Sequence, residues 1–207
     1  MVDGSKVVLI GGAPGSGKTT LAEAVAKDLG WRWLPGDALV TAMRGVASPE
    51  THPDLHLSPG GTHVEYFTNG PPAKLVADAI ALQAAAWQGF EHVIRFHARY
   101  GPSVVIDSWT FSPGNVAALG LSNVIGFWII IDPAALDERE KPPPGYVDPS
   151  TNPARRRANF RHRSLWCNDF VQREATRLGM ALLYQDGATP LDVHVATIGS
   201  RVGPQRR

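Results

Sequence analysis

KVVLIGGAPGSGKTTLAEAVAKDLG, residues 6–30, contains three local chemistries in succession. Residues 6–10 form a β-branched apolar run bounded by Gly11, without the polar alternation of a half-exposed strand. That pattern predicts a central parallel strand buried on both faces. Over residues 18–29, Leu21, Ala22, Ala24, Val25 and Leu29 fall at helical spacing, and Gly30 supplies the stop. The turn between them is rich in glycine, so its backbone can wrap close to an anion. Successive N–H groups and the positive end of the following helix then converge on one point.

Gly12 to Thr19, GAPGSGKT, satisfies the pattern G-x-x-x-x-G-K-[ST] of a P-loop, with a buried strand before it and an amphipathic helix after it. Gly12, Ala13, Gly15, Ser16, Gly17, Lys18, Thr19 and Thr20 are therefore expected to bind the phosphates of ATP. Lys18 is expected to bridge the β- and γ-phosphates, and the Thr19 hydroxyl to bind Mg²⁺. The motif fixes the phosphoryl donor and leaves the acceptor open.

Downstream, strands and helices alternate. Residues 31–34 read as a second strand, ending at Pro35-Gly36-Asp37, and 38–44 as a short helix. Residues 46–71, with many Pro and Gly and little periodicity, read as an acceptor-side loop. A sustained 3.6-residue period over 73–100, slightly broken at Gly89, predicts one long helix or two in tandem. Residues 103–106, 124–131 and 180–184 are the remaining strands, and a basic helix is expected over 154–178. Such alternation implies an α/β fold with a five-stranded parallel sheet and ligands outside the carboxyl ends of the strands. Residues 1–207 are read as a single domain, with a lid region over 133–163 that begins in a proline-rich stretch.

These pieces resemble the nucleotide and small-molecule kinase branch of P-loop proteins. In that branch the acceptor site lies at the ends of the second and third strands and an arginine-bearing lid follows the fourth. Gly12 to Thr19, Asp37, Asp107 and the arginine-rich 155–163 segment fall in the matching order. A weaker resemblance, to 2-phosphoglycerate kinase-like proteins, runs through GDALVTAMR (36–44), PDL (53–55) and VVIDSWTFSPG (104–114), with Asp107 where a Glu would stand. The resemblances imply an ATP- and Mg²⁺-dependent kinase acting on a small-molecule acceptor.

Asp37, directly after strand two, is placed to accept or hold the proton of an acceptor hydroxyl, or else to cap its helix. Asp107 reads as an acid that holds Mg²⁺ or its water shell, at the edge of the acceptor site. Of the arginines at 155, 156, 157, 161 and 163, Arg157 and Arg161 share a helix face at i, i+4 and are the pair expected at the phosphates on lid closure; a solvated helix face is the plain alternative. Arg44, two turns from Asp37, is a candidate for an anionic group of the acceptor. Trp109 and Phe111 are expected to line the acceptor pocket, Trp87 and Phe90 to be core, and the 185–190 loop to meet the purine.

The balance of 20 Lys plus Arg against 19 Asp plus Glu argues against a global attraction to nucleic acid or anionic membrane. The apolar run near the N-terminus is too short to span a bilayer. Cys167, the sole cysteine, excludes an intramolecular disulfide and fits a reducing cytoplasm. No guanine-reading N-K-x-D occurs, which weakens a GTPase switch, while a regulatory ATPase and a zeta-toxin-like or nucleic-acid kinase remain as alternatives.

Overall fold

The computed structural model describes residues 4–57 and 63–203. Along the chain run β1 (Val7–Gly12), α1 (Lys18–Leu29), β2 (Arg32–Pro35), α2 (Gly36–Val46), a 3₁₀ turn at Pro53–His56, α3 (His63–Asn69), α4 (Pro72–Arg99) and β3 (Val104–Ser108). Then follow α5 (Pro113–Ala118), β4 (Val124–Ile131), α6 (Pro133–Arg139), α7 (Pro153–Arg177), β5 (Ala181–Gln185) and α8 (Leu191–Val202). The five strands form one sheet in the order β2-β3-β1-β4-β5, and every neighbouring pair is parallel. From β1 the chain builds first to one side and then to the other, so the crevice of the sheet opens at the carboxyl end of β1.

Alternation along β1 distributes its side chains between two cores. Val7 and Leu9 pack with Phe90, Ile94, Cys167 and Val171 on one face. Val8 and Ile10 pack with Leu21, Val25, Ile198 and Val202 on the other. Each fully buried Val, Leu or Ile contributes roughly 1.5–3 kcal/mol, so an unbroken apolar strand at the sheet's centre is held from both sides. Among the described residues no helix is long and apolar enough to cross a membrane.

Three of the differences from the sequence reading bear on the elements around the crevice. Residues 46–71 are not all loop: they contain the 3₁₀ turn and α3, while 58–62 lie outside the described residues. Helix α3 is too short to show a period. It is held by burial of Phe67 edge-to-face on Phe160 of α7, with centroids 5.3 Å apart. Asn159 of α7 also donates to the carbonyls of Phe67 and Gly70, at 2.7 and 3.0 Å. Second, α4 runs unbroken through Gly89, whose missing side chain leaves room for Met43; an added Cβ would lie 2.4 Å from the Met43 Cε. Third, Phe111 belongs to the core rather than the acceptor pocket, fully buried against Phe90 with centroids 4.8 Å apart.

Candidate active site

At the crevice, β1 gives way to a loop that turns back on itself through Gly15 (φ 81°) and Gly17 (φ 90°), where a side chain would be strained. Lys18 then opens α1, so the unpaired N–H groups of its first turn face the loop. Lys18 is buried, 8% exposed, and its Nζ donates to the Ala13 carbonyl at 2.8 Å. Burial lowers its pKa, and the neighbouring Cys167, Asp107 and Asp37 oppose that effect. The Ser16 hydroxyl is fully buried with no hydrogen-bond partner among the described residues. An orphan hydroxyl within a ring of convergent N–H donors fits a phosphate, whose oxygens accept from all of them. Ser16 to Thr20 line one wall of a cavity of about 570 Å³, and Arg139, Gln185, Thr189 and His194 line the others. The 185–190 segment thus borders the space beyond the phosphate cradle.

Asp107 ends β3 beside α1, 5% exposed, with both carboxylate oxygens engaged. The Thr19 hydroxyl donates to its Oδ2 at 2.9 Å and the Trp33 indole N–H to its Oδ1 at 2.8 Å. A hydroxyl and a hard carboxylate adjacent to a phosphate cradle are the donor set Mg²⁺ takes, leaving water and phosphate oxygens to complete its shell. Thr19 and Asp107 could therefore hold the ion, with Trp33 fixing the carboxylate's orientation. Gly36 brings α2 against this strand, since an added Cβ would fall 2.1 Å from the Asp107 carbonyl oxygen. The same close approach sets Asp37 at the crevice, in the first turn of α2.

A second cavity, of about 240 Å³, is lined by Asp37, Arg44, Tyr66, Asp78, Trp109 and Arg163, among others. Asp37 is exposed to it. The Arg44 Nε is occupied by the Leu55 carbonyl at 2.6 Å. Asp78, 8% exposed, accepts from Lys74 at 2.6 Å and from the Tyr66 hydroxyl at 3.1 Å. Burial, with the Asp78 carboxylate beside it, pushes the Tyr66 phenol up to about 12. The Arg163 guanidinium lies over three rings, with its carbon 4.5 Å from the Phe67 centroid, 4.8 Å from Trp109 and 5.8 Å from Phe160.

Sequence reading singled out Asp37, Arg44, Asp107 and Trp109, and the structure gathers them around the crevice. It missed Tyr66, Asp78, Trp33 and Arg139, and it passed over Arg163. The signal for Arg163 was available: with Asn159, Ser164, Cys167 and Val171 it lies on the buried stripe of α7. Arg157 and Arg161, the pair expected at the phosphates on lid closure, are held by other partners in this structure. Arg161 makes a two-pronged pair with Asp137 of α6, at 2.5 and 3.1 Å. Arg157 reaches only 3.7 Å from Asp148, a carboxylate that Arg156 holds with two N–H groups at 2.7 and 3.1 Å. Both selected arginines are turned to solvent, and among the described residues it is the Arg139 guanidinium that meets the P-loop, donating to the Gly15 carbonyl at 3.3 Å.

A family model described as an AAA domain matches residues 7–119. No curated protein matches the sequence. Among solved structures, a gluconokinase from Sinorhizobium meliloti 1021 is 17% identical with a TM-score of 0.51, over 96% of this chain and 95% of its own. An uncharacterized protein from Eubacterium ventriosum ATCC 27560 is 14% identical with a TM-score of 0.51, over 96% and 98%. A shikimate kinase from Bacteroides thetaiotaomicron is 12% identical with a TM-score of 0.50, over 95% and 98%. At these identities the likeness is one of fold: the five-stranded parallel sheet with flanking helices is that of P-loop kinases.

Proposed function

Since the chain belongs to the AAA-domain family, we propose that it is an ATP-dependent phosphotransferase that moves the γ-phosphoryl group to a hydroxyl or phosphate of a small molecule. One observation carries this reading: the Lys18 ammonium of the P-loop cavity lies within electrostatic reach of both Asp107 and Asp37, and Asp37 lines a second, smaller cavity. A nucleotide switch needs the first cavity alone. A donor site and an acceptor site meeting at one cation is what group transfer requires.

For a hydroxyl acceptor, oxygen attacks the γ-phosphorus, the bond to the bridging oxygen breaks, ADP leaves with that oxygen, and the acceptor proton passes to Asp37. Lys18 and the N–H groups of the loop stabilise charge on the equatorial oxygens, where electrostatic preorganisation contributes most. Magnesium, held through Thr19 and Asp107, would supply further neutralisation of phosphate charge. Arg139, on the wall of the same cavity, adds positive charge beside the phosphates.

The test is a screen of small hydroxylated metabolites for acceptor-dependent ADP release, repeated with Lys18→Ala and Asp37→Asn. Lys18→Ala should abolish transfer with the fold intact. Asp37→Asn should lower kcat by roughly 10²-fold or more at little cost in ATP affinity. A folded Lys18→Ala variant with near-normal turnover would overturn the proposal.

A further inference from the structure

We infer that Arg163 is the anchor for an anionic group, a carboxylate or a phosphate, carried by the acceptor molecule; this rests on the phosphotransferase reading of the site. The neighbouring arginines provide the contrast. Arg44 and Arg155 each donate to a backbone carbonyl, and Arg156 and Arg161 each grip a carboxylate with two N–H groups. Arg163, only 9% exposed, has no acceptor for its donors among the described residues, and its Nε is wholly buried and unpaired. Nearby carboxylates do not answer it, because Asp78 is already committed to Lys74 and Tyr66.

A guanidinium carries five N–H donors and keeps its charge even when buried. Ring faces offset part of the cost of removing that charge from water, but they attract the cation without accepting its in-plane hydrogen bonds. Phe67, Trp109 and Phe160 therefore hold the guanidinium in place and leave its hydrogen bonds unanswered. Arg163 itself lines the cavity that also holds Asp37. An acceptor with an anion at one end and a hydroxyl at the other would satisfy Arg163 and present its hydroxyl to Asp37. The planar fork matches the paired oxygens of a carboxylate or phosphate. Arg163 lines this cavity and not the one around the P-loop, which favours the acceptor over the nucleotide as its partner.

The experiment is isothermal titration of the full chain, saturated with MgADP so that the P-loop is filled, using D-glycerate, inorganic phosphate and, as the neutral control, glycerol. Both anions should bind and glycerol should not. Arg163→Gln should weaken the anions by about 30-fold or more, as expected when one partner of a buried charge pair is removed, while MgADP affinity changes less than about twofold. Tighter phosphate than glycerate assigns a phosphorylated acceptor, and the reverse assigns a carboxylic one. Glycerol binding as well as glycerate on the wild-type protein overturns the inference even if the variant fails to fold. So does a folded variant that binds the anions normally, or one that loses MgADP affinity as much as anion affinity. Failure of the wild-type chain to bind MgADP would instead sink the phosphotransferase reading, and the glycerate titration without nucleotide would still decide the role of Arg163.

Discussion

Replacing Gly36 by Ala adds one methyl group where the first turn of α2 crosses the end of β3. That methyl would stand 2.1 Å from the Asp107 carbonyl oxygen and 2.7 Å from the Ser108 Cβ, so backbone has to move by close to 1 Å to restore ordinary contact. Overpacking of this kind costs about 1–3 kcal/mol, and the exchange of Gly for Ala in a helix returns up to about 1 kcal/mol. A net loss of about 1–2 kcal/mol in a domain of this size lowers Tm by about 2–8 °C. The functional effect should be larger than the thermal one. Asp37 sits on the helix that must shift and Asp107 on the strand it shifts from, and a displacement of about 1 Å in positioned groups can cost 10²-fold in rate. Gly45→Ala is the matched control, on the same helix with open space around its absent Cβ. Calorimetry on both variants, with ATP titrations at zero and saturating Mg²⁺, separates the two effects without an acceptor. Gly36→Ala should lose several degrees and much of the Mg²⁺-dependent gain in ATP affinity, while Gly45→Ala should lose neither. Identical behaviour of the two variants would refute the close-approach argument.

Trp33→Phe removes the indole donor from the Asp107 carboxylate while keeping an aromatic body. A hydrogen bond to a charged group contributes about 1.5–3 kcal/mol, so the Mg²⁺ concentration needed for half-maximal ATP binding should rise by roughly tenfold or more, with metal-free ATP affinity unchanged; an unchanged Mg²⁺ requirement means that Trp33 does not orient the acid. Asp148 is held well below the ordinary carboxylate range, at about 2, by hydrogen bonds from Ser150 and then by Arg156. Its native pKa is depressed, so its stabilisation is complete above the ordinary aspartate range and is lost as the pH falls toward 2. Asp148→Asn should mimic that loss at pH 7, seen as faster tryptic cleavage after Arg155 to Arg157 than in the wild type; equal cleavage rates would show that this contact does not organise the segment.

Much of the nucleotide side was readable in advance because it is local. The P-loop spans eight consecutive residues, and β1 announces itself by an apolar run with no alternation. The acceptor side was less legible because it is assembled from residues far apart in sequence. Tyr66 meets Asp78 across 12 positions, Trp33 meets Asp107 across 74, and Asn159 ties Phe67 across 92. None of these pairings leaves a periodic trace. Arginines 155 to 163 were visible as a cluster, but their division into gripped and ungripped members depends on the carboxylates at 137 and 148, which only the fold brings within reach.

Helix α7 is one uninterrupted rod of 25 residues that carries Asn159 against α3, Arg163 in the cavity and Asn168, whose amide is bonded on both sides to the Ile131 backbone at the end of β4. Each residue of a helix turns the next by about 100° and advances it by about 1.5 Å. Insertion of a single residue between 159 and 163 would therefore swing Arg163 out of the cavity, or tear Asn159 or Asn168 from its backbone partners, unless a bulge in the helix absorbed it. The irregular 140–152 segment just upstream has no such phase to keep. Length variation in this architecture should accumulate before Pro153 and be absent over 159–168, making the rod a ruler against which the two cavities are gauged.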